Sequence, residues 1–154
     1  MIGKSKIEDL VKERLDNGMF LVDVTVSPSN VINVYLDSFD GLKIDDCAKM
    51  SSYLERELDR DKEDFELQVS SPGLSRPFKV REQYYKNRGR LLSVETNSGE
   101  VITGTLKDAG PRKVMLQSSS REKVEGHKKK QLIVRNYNLN YDEIKSAKVI
   151  VTFK

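Results

Sequence analysis

Residues 65–78 read Phe65-Glu66-Leu67-Gln68-Val69-Ser70-Ser71-Pro72-Gly73-Leu74-Ser75-Arg76-Pro77-Phe78. Phe65, Leu67 and Val69 alternate with polar residues, the period of a half-buried strand. Pro72 has a fixed φ and Gly73 tolerates a positive one, which suits the two middle positions of a type II turn. Ser70 and Ser71 can bond nearby backbone groups and stiffen the strand exit, and Pro77 holds Arg76 extended. The stretch predicts a strand that runs into a rigid, directed link with Arg76 at its base.

Charge changes sign across this link. Residues 1–80 hold 11 Lys/Arg and 16 Asp/Glu, net −5, whereas residues 81–154 hold 16 and 8, net +8; together they give the chain its +3. A length of 154 residues accommodates two small domains. We therefore expect an acidic domain over 1–80 and a basic one over 81–154, with different surfaces and different partners.

Working back from the link, the first half reads α-β-β-α-β. Ser5 and Glu8 have the spacing of a capping box, and Ile7, Leu10, Val11 and Leu15 follow at helical intervals before Asn17-Gly18 stops the helix. Phe20 to Val26 and Ile32 to Leu36 alternate on either side of the turn Ser27-Pro28-Ser29-Asn30, a hairpin. Asp45 is placed to cap a second helix that carries Cys47, Met50, Leu54 and Leu58 on one stripe. Two helices covering one face of a three-stranded sheet make an α/β sandwich.

Working forward, a helical turn at Arg81 to Lys86 leads into five short strands. The turns are Asn97-Ser98-Gly99, Asp108-Ala109-Gly110-Pro111, a polar loop from Ser118 that reaches Lys128-Lys129-Lys130, and a one-turn helix at Tyr141 to Ile144. Gly104 falls inside a strand, the mark of a bulge or sharp bend. This pattern suits a small SH3-like or Sm-like β-barrel, so the whole chain is expected to be a two-domain α+β protein.

The 65–78 motif resembles the signature of the bacterial ribosome maturation factor RimP family, a strand ending in Val-Ser-Ser-Pro-Gly-Leu followed by Arg-Pro and an apolar residue. Asp45-Asp46-Cys47-Ala48 with Ser51 resembles the family's second helix, and Ile144-Lys145-Ser146-Ala147-Lys148 the segment before its last strand. Gln68 and Ser75 stand where the family commonly carries Glu and Asp. The resemblance implies a non-enzymatic assembly factor that binds the free small (30S) ribosomal subunit, through a ribosomal protein and rRNA, and promotes its maturation. An Sm-like module acting on non-ribosomal RNA is the alternative.

Two groups of residues are candidates for contact. Ser70, Ser71, Pro72, Gly73, Arg76 and Pro77 form either a ribosome contact or a structural hinge between domains. Arg112 and Lys113 on one loop, and Arg121, Lys123, Lys128, Lys129 and Lys130 on another, are candidate RNA contacts, since clustered cations neutralise phosphates and release counterions. Tyr137 and Tyr141 supply either stacking or core. On the acidic side Asp37, Asp40, Asp45, Asp46, Glu55, Asp59 and Asp61 would attract a basic protein tail.

Catalysis has little to work with. His127 is the one His and sits in a Lys-rich loop; Cys47 is the one Cys and sits on an apolar stripe. There is no phosphate-binding Gly-rich loop ending in Lys-Ser/Thr, no dinucleotide fingerprint and no calcium-loop spacing. No cofactor or metal is expected. A single Cys and the absence of any long apolar run lead us to expect a cytoplasmic monomer that does not enter a membrane.

Overall fold

A computed structural model describes residues 2–74 and 76–151, and the chain divides into two compact units, Met1–Gly73 and Leu74–Lys154. Three α-helices and two sheets make the fold mixed α+β, as expected.

The first unit runs α1 (Lys4–Glu13), β1 (Met19–Val26), β2 (Val31–Ser38), α2 (Ile44–Glu57) and β3 (Glu66–Ser70). β1 and β2 form an antiparallel hairpin; β3 lies parallel to β2, so α2 is the crossover that a parallel pair requires. Ile7 and Val11 from α1, Met50 and Leu54 from α2, and Val24, Ile32, Val34 and Leu36 from the strands bury into one core.

Both helix starts differ from expectation. α1 begins at Lys4 behind an extended Gly3, which puts Ser5 inside the first turn. α2 begins behind Lys43, whose backbone N–H donates to Asp46 Oδ2 at 3.0 Å. The carboxylate three residues inside the helix secures the entry, and Asp45 is left in the first turn, where its charge suits the dipole. Between α2 and β3, Arg60 organises the charged connector. Its guanidinium lies 4.1 Å from the centre of the Phe65 ring and donates to Asp64 Oδ1 at 2.8 Å and to the Phe65 carbonyl at 2.7 Å.

The second unit runs α3 (Arg81–Lys86), β4 (Leu91–Thr96), β5 (Val101–Ala109), β6 (Lys113–Glu122), β7 (Gln131–Asn140), a 3-10 turn (Tyr141–Glu143) and β8 (Ile144–Val149). The sheet order is β7-β6-β5-β4-β8, with antiparallel neighbours throughout. Leu92, Val94, Leu106, Val114, Leu116 and Ala147 form its core. Residues 76–80 belong here: the Phe78 N–H donates to the Ala147 carbonyl at 2.7 Å, and the Phe78 ring meets Tyr84 edge-on at 4.8 Å.

Three expectations need correction. No closed barrel exists among the described residues, because β7 and β8 do not pair and remain edges. Gly104 is not itself the bulge. The β5–β6 register shifts between Leu106 and Asp108, and a Cβ on Gly104 would stand 3.0 Å from the Gln117 carbonyl oxygen, so the glycine permits close approach of two backbones. Ser118 to Glu122 are strand rather than loop: the β6–β7 ladder continues through Ser120↔Ile133 to Glu122↔Gln131.

Candidate nucleic-acid and partner interface

The link begins where β3 ends. Ser70 pairs with Tyr35 in the sheet, and the chain leaves through Ser71 and Pro72 to Gly73, which has φ +77°. A positive φ after a proline is the backbone that a type II turn requires. Neither serine hydroxyl makes a hydrogen bond among the described residues. Ser71, Gly73, Arg76 and Pro77 are exposed; Ser75 lies outside the described residues.

The basic residues of the second unit do not form one surface. Arg112 and Lys113 sit at the β5–β6 turn, where β6 begins. Arg121 lies one residue before the end of β6, opposite Leu132, and Lys123, Lys128, Lys129 and Lys130 occupy the turn at the far end of the same hairpin. The ladder from Lys113 to Glu122 separates the two groups by about 30 Å at ~3.3 Å per strand residue. All seven cations are exposed. At the tip, Arg135 closes on Glu122, with Nη2 to Oε1 at 3.2 Å, and holds that carboxyl below its usual range. That pairing leaves Glu125 as the remaining carboxylate among the five tip cations.

Neither tyrosine singled out from the sequence is an open stacking platform. The Tyr141 ring lies between the Arg81 guanidinium, 5.1 Å from its centre, and Tyr84, also at 5.1 Å, and its hydroxyl donates to the Gly110 carbonyl at 2.8 Å. Burial pushes its pKa up to about 12, helped by the neighbouring Tyr85 and Tyr84. Tyr137 packs against the core.

Sequence reasoning missed the position of Arg81. It shares a cleft of about 290 Å³ with Arg112, Asn140 and Asp142. These residues come from α3, the β5–β6 turn, the end of β7 and the 3-10 turn, so no local pattern in the sequence announces them.

In the first unit several expected carboxylates are engaged locally. Asp46 holds the start of α2, Asp59 accepts from the Asp61 N–H, and Glu55 pairs with Arg60 at 2.8 Å. A groove lined by Arg14, Asp16, Asp45, Asp46, Lys49 and Arg56 carries three charges of each sign and favours no ligand charge. Burial and Asp46 push the Cys47 thiol up, against the thiolate a nucleophile needs. Among the described residues no three His, Cys, Asp or Glu side chains converge as a metal site, and no helix is long and apolar enough to cross a membrane.

The fold and this arrangement place the chain among two-unit proteins with an α/β unit followed by a β unit. Residues 6–75 match the family model for the RimP N-terminal domain. The ribosome maturation factor RimP of Flavobacterium psychrophilum is 34% identical over 155 residues, covering 99% of this chain and all of that protein. The protein of the same name from Porphyromonas gingivalis is 37% identical over 152 residues, covering 98% of this chain and all of that protein. The chain belongs to the RimP family.

Proposed function

We propose that this protein is a non-enzymatic assembly factor that binds the free small ribosomal subunit in the cytoplasm and promotes its maturation. The observation that carries this reading is the end-to-end match to proteins named as ribosome maturation factors. The distribution of charge supports a division of labour. Counted to Gly73, the first unit holds 9 Lys/Arg and 16 Asp/Glu, net −7; the second holds 18 and 8, net +10. The acidic unit suits a basic protein tail and the basic unit suits rRNA, with Arg112, Lys113 and the hairpin-tip cations as phosphate contacts. Ser70 to Pro77 set the link, and Arg76 is its contact residue. Binding one arrangement of a local rRNA–protein region better than others shifts the population toward that arrangement, and no chemical step is needed.

The second unit is best described as an opened Sm-like or SH3-like sheet. Its order β7-β6-β5-β4-β8, with a 3-10 turn before the last strand, supports that description. The open edge of β7 also favours a second reading, a ring of copies joined through that edge that acts on non-ribosomal RNA. Measuring the solution mass separates the two, because the proposed factor is a monomer.

The central test is sedimentation of cell extract with and without the protein. Co-migration with free small subunits, and accumulation of precursor small-subunit rRNA in its absence, are the expected results. If the protein stays at the top of the gradient at every salt concentration, the reading is wrong.

A further inference from the structure

Two clefts adjoin at one end of the second unit's sheet and share two walls. The larger, about 480 Å³, is lined by Asp108, Pro111, Arg112, Met115, Asn138 and Asn140. The smaller, about 290 Å³, is lined by Arg81, Arg112, Asn140 and Asp142. Arg112 and Asn140 therefore stand between an apolar compartment edged by amides and a compartment edged by two guanidinium groups. The Asp108 carboxylate accepts from the Ala109 N–H through one oxygen at 2.9 Å.

The backbone of the walls is held by two main-chain bonds and one from a tyrosine hydroxyl. The Tyr141 N–H donates to the Arg112 carbonyl at 3.1 Å, the Gly110 N–H to the Lys113 carbonyl at 2.8 Å, and the Tyr141 hydroxyl to the Gly110 carbonyl at 2.8 Å. Arg81 rests on the Tyr141 ring. No ion pair among the described residues engages Arg81 or Arg112. Sites built this way bind with less ordering cost than mobile surface cations.

We propose that these clefts together bind one unpaired nucleotide of single-stranded RNA. This proposal rests on the RNA-facing role given above to the second unit. The base enters the larger cleft, its faces against Pro111 and Met115 and its edge toward the Asn138 amide. Asparagine can pair with an adenine edge through two hydrogen bonds, which makes adenine the fitting base. The phosphate lies between Arg81 and Arg112, where planar guanidinium groups offer paired donors. The Asp142 carboxylate accepts from the ribose 2′-hydroxyl, the group that separates RNA from DNA. The hairpin tip, by contrast, offers flexible lysines and reads only charge.

The test is binding of the full-length chain to a 5′-labelled 12-nucleotide oligoadenylate RNA, followed by fluorescence anisotropy across a salt series. R81Q/R112Q is expected to weaken binding about tenfold and to lower the salt slope by about 0.7, the share of one phosphate on a single strand. N138A, on an exposed strand position, is expected to weaken binding without changing the charge, so the proposal stays testable should the arginine variant unfold. Duplex RNA of equal length should lose less affinity than the single strand in R81Q/R112Q and none in N138A, and AMP should not displace the strand.

If R81Q/R112Q and N138A bind like the parent while K128Q/K129Q/K130Q loses affinity, the nucleotide site is wrong and the RNA reading stands. Equal losses on duplex and single strand reduce the clefts to phosphate contacts and also overturn the proposal. Displacement by AMP at the concentration of a strand competitor makes a free nucleotide the ligand instead. A parent protein that binds neither RNA removes the RNA reading, and the nucleotide site with it.

Discussion

The Tyr141 hydroxyl donates to the Gly110 carbonyl at 2.8 Å and ties the 3-10 turn before β8 to the turn between β5 and β6. The same carbonyl receives a longer bond from Tyr85 at 3.4 Å. Removing the hydroxyl in Tyr141→Phe leaves the carbonyl with the weaker partner. The expected cost is about 1 kcal/mol, a net hydrogen bond, read as a lower denaturation midpoint.

Alkaline pH should act on the same region. Burial pushes Tyr84 up to about 12, and Tyr141 likewise up to about 12. An unfolded tyrosine ionises near pH 10. Between about pH 10 and 12 the unfolded chain has lost these two protons while the folded chain keeps them, so stability falls as pH rises through that window. Unfolding followed from pH 9 to 12 should show this loss, and Tyr84→Phe should flatten it. A profile unchanged by the substitution would refute the burial argument.

Gly104→Ala tests the close approach of β5 to β6. The added methyl carbon meets backbone, the Gln117 carbonyl at 3.0 Å, and backbone yields less than a side chain. The expected destabilisation is ~1–3 kcal/mol, typical of overpacking. A neutral result would mean that the strands separate at no cost.

In the first unit, Leu54 is fully buried on the inner stripe of α2. Leu54→Ala should cost about 2–5 kcal/mol through lost transfer energy and the cavity left behind. Hydrogen exchange should report the loss in α1, α2 and β2, whose side chains share that core.

At the link, Arg76→Ala is expected to preserve the thermal transition and to weaken co-sedimentation with small subunits. Unchanged co-sedimentation would make residues 70–77 a hinge alone. At the hairpin tip, K128Q/K129Q/K130Q is expected to lower the salt slope of RNA binding by about 2, at ~0.7 per phosphate. An unaltered slope would make the three lysines a solubility feature.

The order of elements was legible because apolar periodicity reports burial: Ile7 and Val11, Ile32 to Leu36, and Met50 and Leu54 all point into one core. The helix entries at Gly3 and Lys43 were not, since several residues near each start can serve, and the competition is settled by geometry. The outer half of the β6–β7 hairpin was hidden for a different reason. Ser118, Ser119 and Ser120 form strand by pairing with Arg135, Val134 and Ile133, yet neither face of that half is fully buried, so no alternation marks it. Reading it as a loop kept the two cation groups distinct but hid the ladder that holds them apart. The Arg81, Arg112 and Asn140 constellation depends on tertiary placement and left no trace in the sequence.

The open edge of β7 has a consequence for behaviour in solution. Leu132 and Val134 are 61% and 49% exposed on a strand whose outer side has no neighbour among the described residues, a template on which a second copy could add. Five cations at the hairpin tip make such an approach repulsive at low ionic strength. Salt shortens the reach of that repulsion to ~3 Å at 1 M, so the protein should stay dispersed in dilute buffer and self-associate through β7 as salt is raised. The charge that suits the tip to a polyanion thus also acts as its colloidal protection.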